Sequence, residues 1–259
     1  DAGYAYTDAG ELTARIGGAG DTLLTSYDAL GNLTGARAPN GDSLTYLIDG
    51  ANRRVGRILN GLRTHTWLYQ NGLNLIAEVD TTGAIASRYV YGTLGHVPDL
   101  LVKGADTYRL ITDHLGSVRA VVNVSTGAVA EQISYDAWGN VTLDTNPGFV
   151  SHGFAGGLRD TSTELVRFGA RDYDPSVGRW TDKDPLRFSR GSQSLYAYSG
   201  DDPINRMDPT GLAAMPEEPS DVSVDADICE VLRHHRGDWL WLAWKVRPFG
   251  DEDFKNNHG

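Results

Sequence analysis

The 259-residue chain carries a formal charge of -11 and is 40% hydrophobic. Its acidic balance argues against nucleic acid as a partner of the repeat region, because phosphates demand a basic footprint, and against docking on anionic membranes. The apolar content is sufficient for a core, and 31 glycines suit many short strands joined by tight turns better than long helices.

From the N-terminus, the chain keeps returning to one phrase: a tyrosine, an aspartate, a glycine and then a branched apolar residue. The clearest copies are Tyr27-Asp28-Ala29-Leu30-Gly31-Asn32-Leu33-Thr34 and Tyr135-Asp136-Ala137-Trp138-Gly139-Asn140-Val141-Thr142. Looser copies centre on Asp8, Asp49, Asp80 and Asp113, with Asp8, Asp28 and Asp49 recurring at intervals of about 20 residues. Each unit reads as strand, turn, strand. The aspartate can accept backbone N–H groups two residues on, and the glycine supplies a positive φ. Alternating flanks such as Ser87-Arg88-Tyr89-Val90-Tyr91 are hairpin signatures. One such hairpin cannot bury its apolar face alone, so neighbours are expected to pair edge to edge, with the tyrosines packing across strands. The first residues lack the features of a signal peptide and enter in mid-repeat, which suggests a piece of something longer. No stretch approaches the ~20 apolar residues of a membrane span. Cys229 is the sole cysteine, so no internal disulfide is expected.

The pattern changes from about residue 168. Arg171-Asp172-Tyr173-Asp174-Pro175-Ser176-Val177-Gly178-Arg179-Trp180 is followed by Lys183-Asp184-Pro185, Leu195-Tyr196-Ala197-Tyr198, Asp202-Pro203 and the closing Asp208-Pro209-Thr210-Gly211-Leu212. Together with the tyrosine–aspartate phrase and Asp113-His114-Leu115-Gly116-Ser117-Val118-Arg119, these motifs resemble the Rhs/YD-repeat proteins and their associated core domain, over roughly residues 1–212. The resemblance implies a mainly β fold: hairpins wound into a continuous spiral sheet, part of a cocoon-like shell closed by a core-domain plug. It divides the chain into repeats (1–150), the core domain (151–212) and a variable tail (213–259). It also implies that the shell encloses the C-terminal segment as cargo and cuts the chain after Leu212, before Ala213.

The residues themselves offer one chemistry for such a cut. Between Arg171 and Asp208 lie Asp172, Asp174, Asp182, Asp184, Asp201, Asp202 and Asp208, with neither histidine nor cysteine and no metal-ligand spacing. Hydrolysis there would run on carboxylates, two of which, held close, share one proton. The resemblance supports two overlapping pairs: Asp172 with Asp184, aided by Arg171, or Asp184 with Asp208. Pro209 and Gly211 belong to the terminal motif. Gly211 is expected to let the backbone approach the carboxylates, and Leu212 to sit in an apolar pocket. Against this stands the plain reading, since Asp-Pro commonly starts a turn and the chain holds four such pairs. Asp174 and Asp202 read as turn residues.

After Leu212 a polar, proline-containing linker gives way to helical spacing at Ile228, Val231 and Leu232, then to Trp239-Leu240-Trp241-Leu242-Ala243-Trp244. Cys229, His234 and His235 lack a third partner at metal-binding spacing. Neither metal nor cofactor is expected. The resemblance further implies a secreted or cell-surface bacterial protein whose partners are its own C-terminal segment and delivery-machine or immunity proteins. The competing reading is a non-enzymatic YD-repeat surface module that binds sugars or protein partners.

Overall fold

The computed structural model describes residues 3–17, 21–186 and 194–216. The tail's helical spacing at Ile228, Val231 and Leu232 and its tryptophan run, together with Cys229, His234 and His235, lie outside them.

The first part of the chain is one antiparallel sheet in which every strand pairs with its sequence neighbours. Its first seven strands are β1 (Gly3–Tyr6), β2 (Leu12–Ile16), β3 (Thr22–Tyr27), β4 (Leu33–Arg37), β5 (Ser43–Ile48), β6 (Arg54–Leu59) and β7 (Leu62–Tyr69). It continues through β8 (Leu75–Val79), β9 (Ile85–Val90), β10 (Leu100–Lys103), β11 (Asp106–Thr112), β12 (Val118–Asn123), β13 (Val129–Tyr135) and β14 (Val141–Asp144). This is the continuous meander of hairpins that the repeated phrase predicts. Side chains of a strand alternate between faces. Along β3, Leu23 and Thr25 are buried while Leu24 is exposed, and along β5 Leu44 and Tyr46 are buried while Ser43 and Thr45 are exposed.

The turns obey one local rule. In the copy at Asp28, one carboxylate oxygen accepts the N–H groups of Leu30 (2.8 Å) and Asn32 (3.0 Å), and Gly31 bonds back to the Asp28 carbonyl at φ +84°. Asp80, Asp113 and Asp136 build the same turn. Two copies depart from the expected alignment. In the first, Thr7 rather than Asp8 anchors the turn: its hydroxyl accepts the N–H groups of Gly10 and Glu11, and Gly10 bonds its carbonyl. At Asp49, Asn52 takes the place of the glycine at φ +59°. Threonine can stand for aspartate because its hydroxyl closes a similar ring, and asparagine tolerates the left-handed region.

A smaller four-stranded sheet follows: β15 (Leu158–Arg159), β16 (Val166–Phe168), β17 (Arg171–Asp174) and β18 (Arg179–Trp180), with a two-stranded pair, β19 (Arg206–Met207) and β20 (Met215–Pro216). Phe168, Tyr173, Trp180, Tyr198 and Met207 form its core together with Leu115 from the large sheet. Leu165 inserts into a second cluster with Leu23, Leu33, Leu44 and Tyr46. The repeat tyrosines do not chiefly stack on one another. Tyr89 packs on His152, Tyr108 on Phe149 and Tyr135 on Phe154, so the residues that follow the large sheet supply their partners. Buried ion pairs hold the same junction. Arg15 meets Asp174 at 2.7 Å, Arg54 meets Asp172 at 2.8 Å, and Arg57 meets Asp160 at 2.7 Å.

Candidate functional site

The small sheet positions the terminal motif by backbone contact. Between β16 and β17 the chain turns at Gly169 (φ +42°), where a Cβ would lie 2.5 Å from the carbonyl oxygen of Thr210. Ala170 donates its N–H to that oxygen at 2.9 Å. Gly211 is reciprocally confined: at φ +66°, a Cβ there would lie 2.3 Å from the Phe168 carbonyl oxygen. Gly211 therefore permits close approach to the β16–β17 turn rather than to a carboxylate, the role that the sequence suggests for it. Pro209 precedes it and lines a small cavity behind the turn.

Arg171, the first residue of β17, is the hub. Its guanidinium is buried over the Trp180 ring, 4.1 Å from the centroid. Nε donates to the carbonyl of Gly211. One terminal nitrogen meets Asp184 Oδ2 at 3.3 Å and Asp208 Oδ2 at 3.4 Å. Burial lowers the Arg171 pKa, and the charges of Asp184 and Asp208 oppose that shift. The structure thus brings together three of the four residues that the sequence nominates.

Asp208 is itself buried, and its Oδ1 accepts the N–H of Leu212 at 3.1 Å, the N–H of Ala213 at 3.0 Å and the hydroxyl of Thr210 at 3.1 Å. The amide nitrogen of the Leu212–Ala213 bond is therefore bound directly to a nominated carboxylate. Asp184 stands at the edge of the site. Its N–H bonds the Leu195 carbonyl, its Oδ1 accepts the N–H of Leu186 across Pro185, and its side chain is 17% exposed. Asp182, Asp184, Pro185, Leu195 and Leu212 line an open groove of about 1100 Å³, rimmed by the repeat turns at Leu30, Asn52 and Leu73. Leu212 thus contributes to a mixed polar and apolar groove, half-buried.

The fourth nominee points elsewhere. Successive residues of β17 face opposite ways. Arg171 and Tyr173 turn into the small core, whereas Asp172 and Asp174 turn to the large sheet. The Asp172 carboxylate is taken by Arg54 (2.8 and 3.0 Å) and Arg167 (2.9 Å). It makes no described contact with Asp184, whereas Asp184 and Asp208 share the Arg171 guanidinium. Asp174 binds Arg15 and also accepts the N–H of Ser176, and Asp202 accepts the N–H of Asn205, both in local turns as their Asp-Pro setting suggests.

One group stands out only in three dimensions. Burial, with the charge of Asp172 next, pushes the Asp182 carboxyl up to about 7. Its lining of the groove depends on the Thr181 N–H bonding the Asp172 carbonyl, which no local motif announces. Among the described residues, no cluster of three or more His, Cys, Asp or Glu side chains is arranged to hold a metal. No described helix is long and apolar enough to cross a membrane.

A family model described as Teneurin YD-shell matches residues 1–204. Teneurin-4 of Mus musculus is 32% identical over 191 residues, 69% of this chain and 7% of that protein. The tRNA nuclease WapA of Bacillus subtilis (strain 168) is 30% identical over 194 residues, 72% of this chain and 8% of that protein. Among solved structures, a chain of the Photorhabdus luminescens Tc holotoxin pore superposes with a TM-score of 0.57 at 18% identity, covering 86% of this chain and 13% of that one. That likeness concerns the fold. The chain spans less than a tenth of the length of these curated relatives. The repeat turns, the continuous meander and the family match together make this chain a member of the Teneurin YD-shell family, within the Rhs/YD-repeat proteins.

Proposed function

We propose that the chain is part of a toxin-encapsulating shell that releases the segment following Leu212 by cutting between Leu212 and Ala213. The reading rests above all on Asp208, whose carboxylate accepts the N–H groups on both sides of the Leu212 carbonyl while Arg171 ties it to Asp184. Asp184, at the groove, is the base that takes a proton from a water. The water oxygen adds to the Leu212 carbonyl carbon, and the C–N bond to Ala213 then breaks as its nitrogen gains a proton. Asp182, protonated in part at neutral pH, supplies that proton and recovers one from the product acid. Asp208 fixes the departing nitrogen, and Arg171 fixes both carboxylates. Each chain acts once.

The cargo is the segment beyond Leu212, and the nuclease named in the WapA relatives makes an effector polypeptide the natural class for it. Delivery-machine and immunity proteins follow as further partners, and export to the bacterial surface or medium as the setting. The exposed rim residue Leu30 beside the groove suits a second reading, a non-enzymatic surface module binding sugars or proteins there.

Intact mass spectrometry of freshly purified protein separates the two. Cleavage predicts two fragments meeting at Leu212–Ala213 in the wild type and one uncut chain in Asp184→Asn. A wild type that stays whole at neutral pH ends the peptidase reading. A cut mapping to an Asp-Pro bond is acid lability and ends it equally.

A further inference from the structure

The junction between the repeat sheet and the small sheet carries an uncompensated positive charge. Arg54 and Arg167 are 3% and 4% exposed, and both bind the single carboxylate of Asp172. The neighbouring acids are bound elsewhere: the Asp28 carboxylate, whose charge reaches Arg167, is held in its own turn by Leu30 and Asn32 without touching either arginine. Asp160 is held by Arg57 and the Tyr46 hydroxyl, and Asp49 by Arg53. Asp182 carries a proton part of the time at neutral pH. Two buried guanidinium groups against one carboxylate leave a surplus of one charge, a costly state in a low-dielectric interior.

The same two arginines have unused donors. Nε of Arg54 and Nε of Arg167 are buried with no hydrogen-bond partner among the described residues, and so is Nδ1 of His152. Buried donors are rarely left unmet, because each costs its full desolvation. All three side chains line one cavity of about 30 Å³. Arg53, Tyr69, His96 and Pro209 complete its polar and apolar walls, and no aspartate or glutamate lines it. Such a space admits about two water-sized spheres. Water would meet the donors and leave the charge; a phosphate, a sugar or a nucleotide is too large. A single halide-sized ion meets both needs.

We infer that this cavity is a binding site for one small monovalent anion of chloride size, held by the Nε groups of Arg54 and Arg167 between the repeat sheet and the core domain. The ion locks the two layers together beside Pro209 of the terminal turn, next to the groove with which the cavity shares Arg53 and Gly169. Arg54 comes from β6 and Arg167 from β16, so the site exists only when the layers are docked.

Bromide is the probe. Crystals of the full chain grown in sodium bromide should show an anomalous peak in the cavity, within hydrogen-bond distance of both Nε atoms. A cavity that holds only water in bromide overturns the inference. In solution, the wild-type melting temperature should rise by roughly 2–4 °C when sodium gluconate is replaced by sodium chloride at equal ionic strength, the shift expected for a site several-fold above its dissociation constant. Arg167→Met removes one donor and the surplus charge, and should abolish that shift. No chloride shift in the wild type, or an equal shift in Arg167→Met, also overturns it. Should the variant fail to fold, the bromide crystal decides alone.

Discussion

The repeat turn at Asp136 and the terminal turn at Asp208 are built on one local plan and used differently. In both, a glycine three residues on bonds back to the aspartate carbonyl at 3.1 Å with positive φ, +89° at Gly139 and +66° at Gly211. In both, Oδ1 gathers backbone N–H groups downstream. The second oxygen distinguishes them. Asp136 Oδ2 takes the side-chain amide of Asn140, a neighbour in its own turn, and Asp136 is exposed. Asp208 Oδ2 takes Arg171, brought from β17, and Asp208 is buried. A turn that serves the repeats as a reversal of direction becomes, once buried against an arginine, a holder of one peptide bond. The chemistry of the residue is unchanged; its dielectric surroundings and its partner are not.

Glycine substitutions should break this comparison most strongly. Gly211→Ala drives a Cβ into the Phe168 carbonyl and should cost about 4 kcal/mol or prevent docking of the small sheet. Gly83→Ala, at φ +88° in an exposed repeat turn with open space around it, should cost only ~1–2 kcal/mol. Urea titration of both variants tests the contrast, and equal losses would refute it.

Next in size is Asp172→Asn, which leaves Arg54 and Arg167 buried without their counter-charge and should cost about 3–5 kcal/mol in the same titration. Its effect on cleavage should follow its loss of stability, whereas Asp184→Asn, at an edge position, should remain folded and uncut. A stable Asp172→Asn variant that nonetheless fails to cleave would shift the catalytic pairing back to Asp172.

A smaller effect separates the two aspartates directly. Asp208→Asn keeps an acceptor for Leu212 and Ala213 but loses the charge facing Arg171, and should cost ~1.5–3 kcal/mol. Asp136→Asn, exposed and facing another asparagine, should stay within about 0.5 kcal/mol.

Glu131, 1% exposed on β13, gives the most pH-specific signal. Burial, with the Asp144 charge next, pushes its carboxyl up from 4.5 to about 8. A raised folded pKa means that its contribution is fully present below pH 4.5 and is lost as pH rises through 8. Glu131→Gln should therefore match the wild type in acid and exceed it above pH 8, by about 1–2 kcal/mol once relaxation is allowed for. Thermal melts across pH 4–9 check it, and parallel curves would show that Glu131 is not neutral in the folded chain.

Much of the fold was legible because its signals are local. An aspartate or threonine whose side chain closes on the next few N–H groups, a residue with positive φ and alternating flanks all act within one hairpin, and a meander is hairpins in series. The slip at Asp8, where Thr7 anchors the turn, is an error of one residue between two side chains capable of the same ring. At the site, the sequence singled out Arg171, Asp172, Asp184 and Asp208 without choosing between two pairings. Strand alternation was the signal that could have separated Arg171 from Asp172, but it acts only once both are known to lie within β17.

By itself, then, the chain order determined the turn grammar, the β architecture and the carboxylate-rich end, because backbone preferences and short side-chain rings depend on neighbours a few residues away. Which carboxylates Arg171 joins, which one is buried, and where two arginines share a single acid were decided by packing between segments remote in sequence, 37 residues apart for Arg171 and Asp208 and 118 for Arg54 and Asp172. Burial and charge compensation depend on what lies across an interface, and adjacency in sequence carries no record of it.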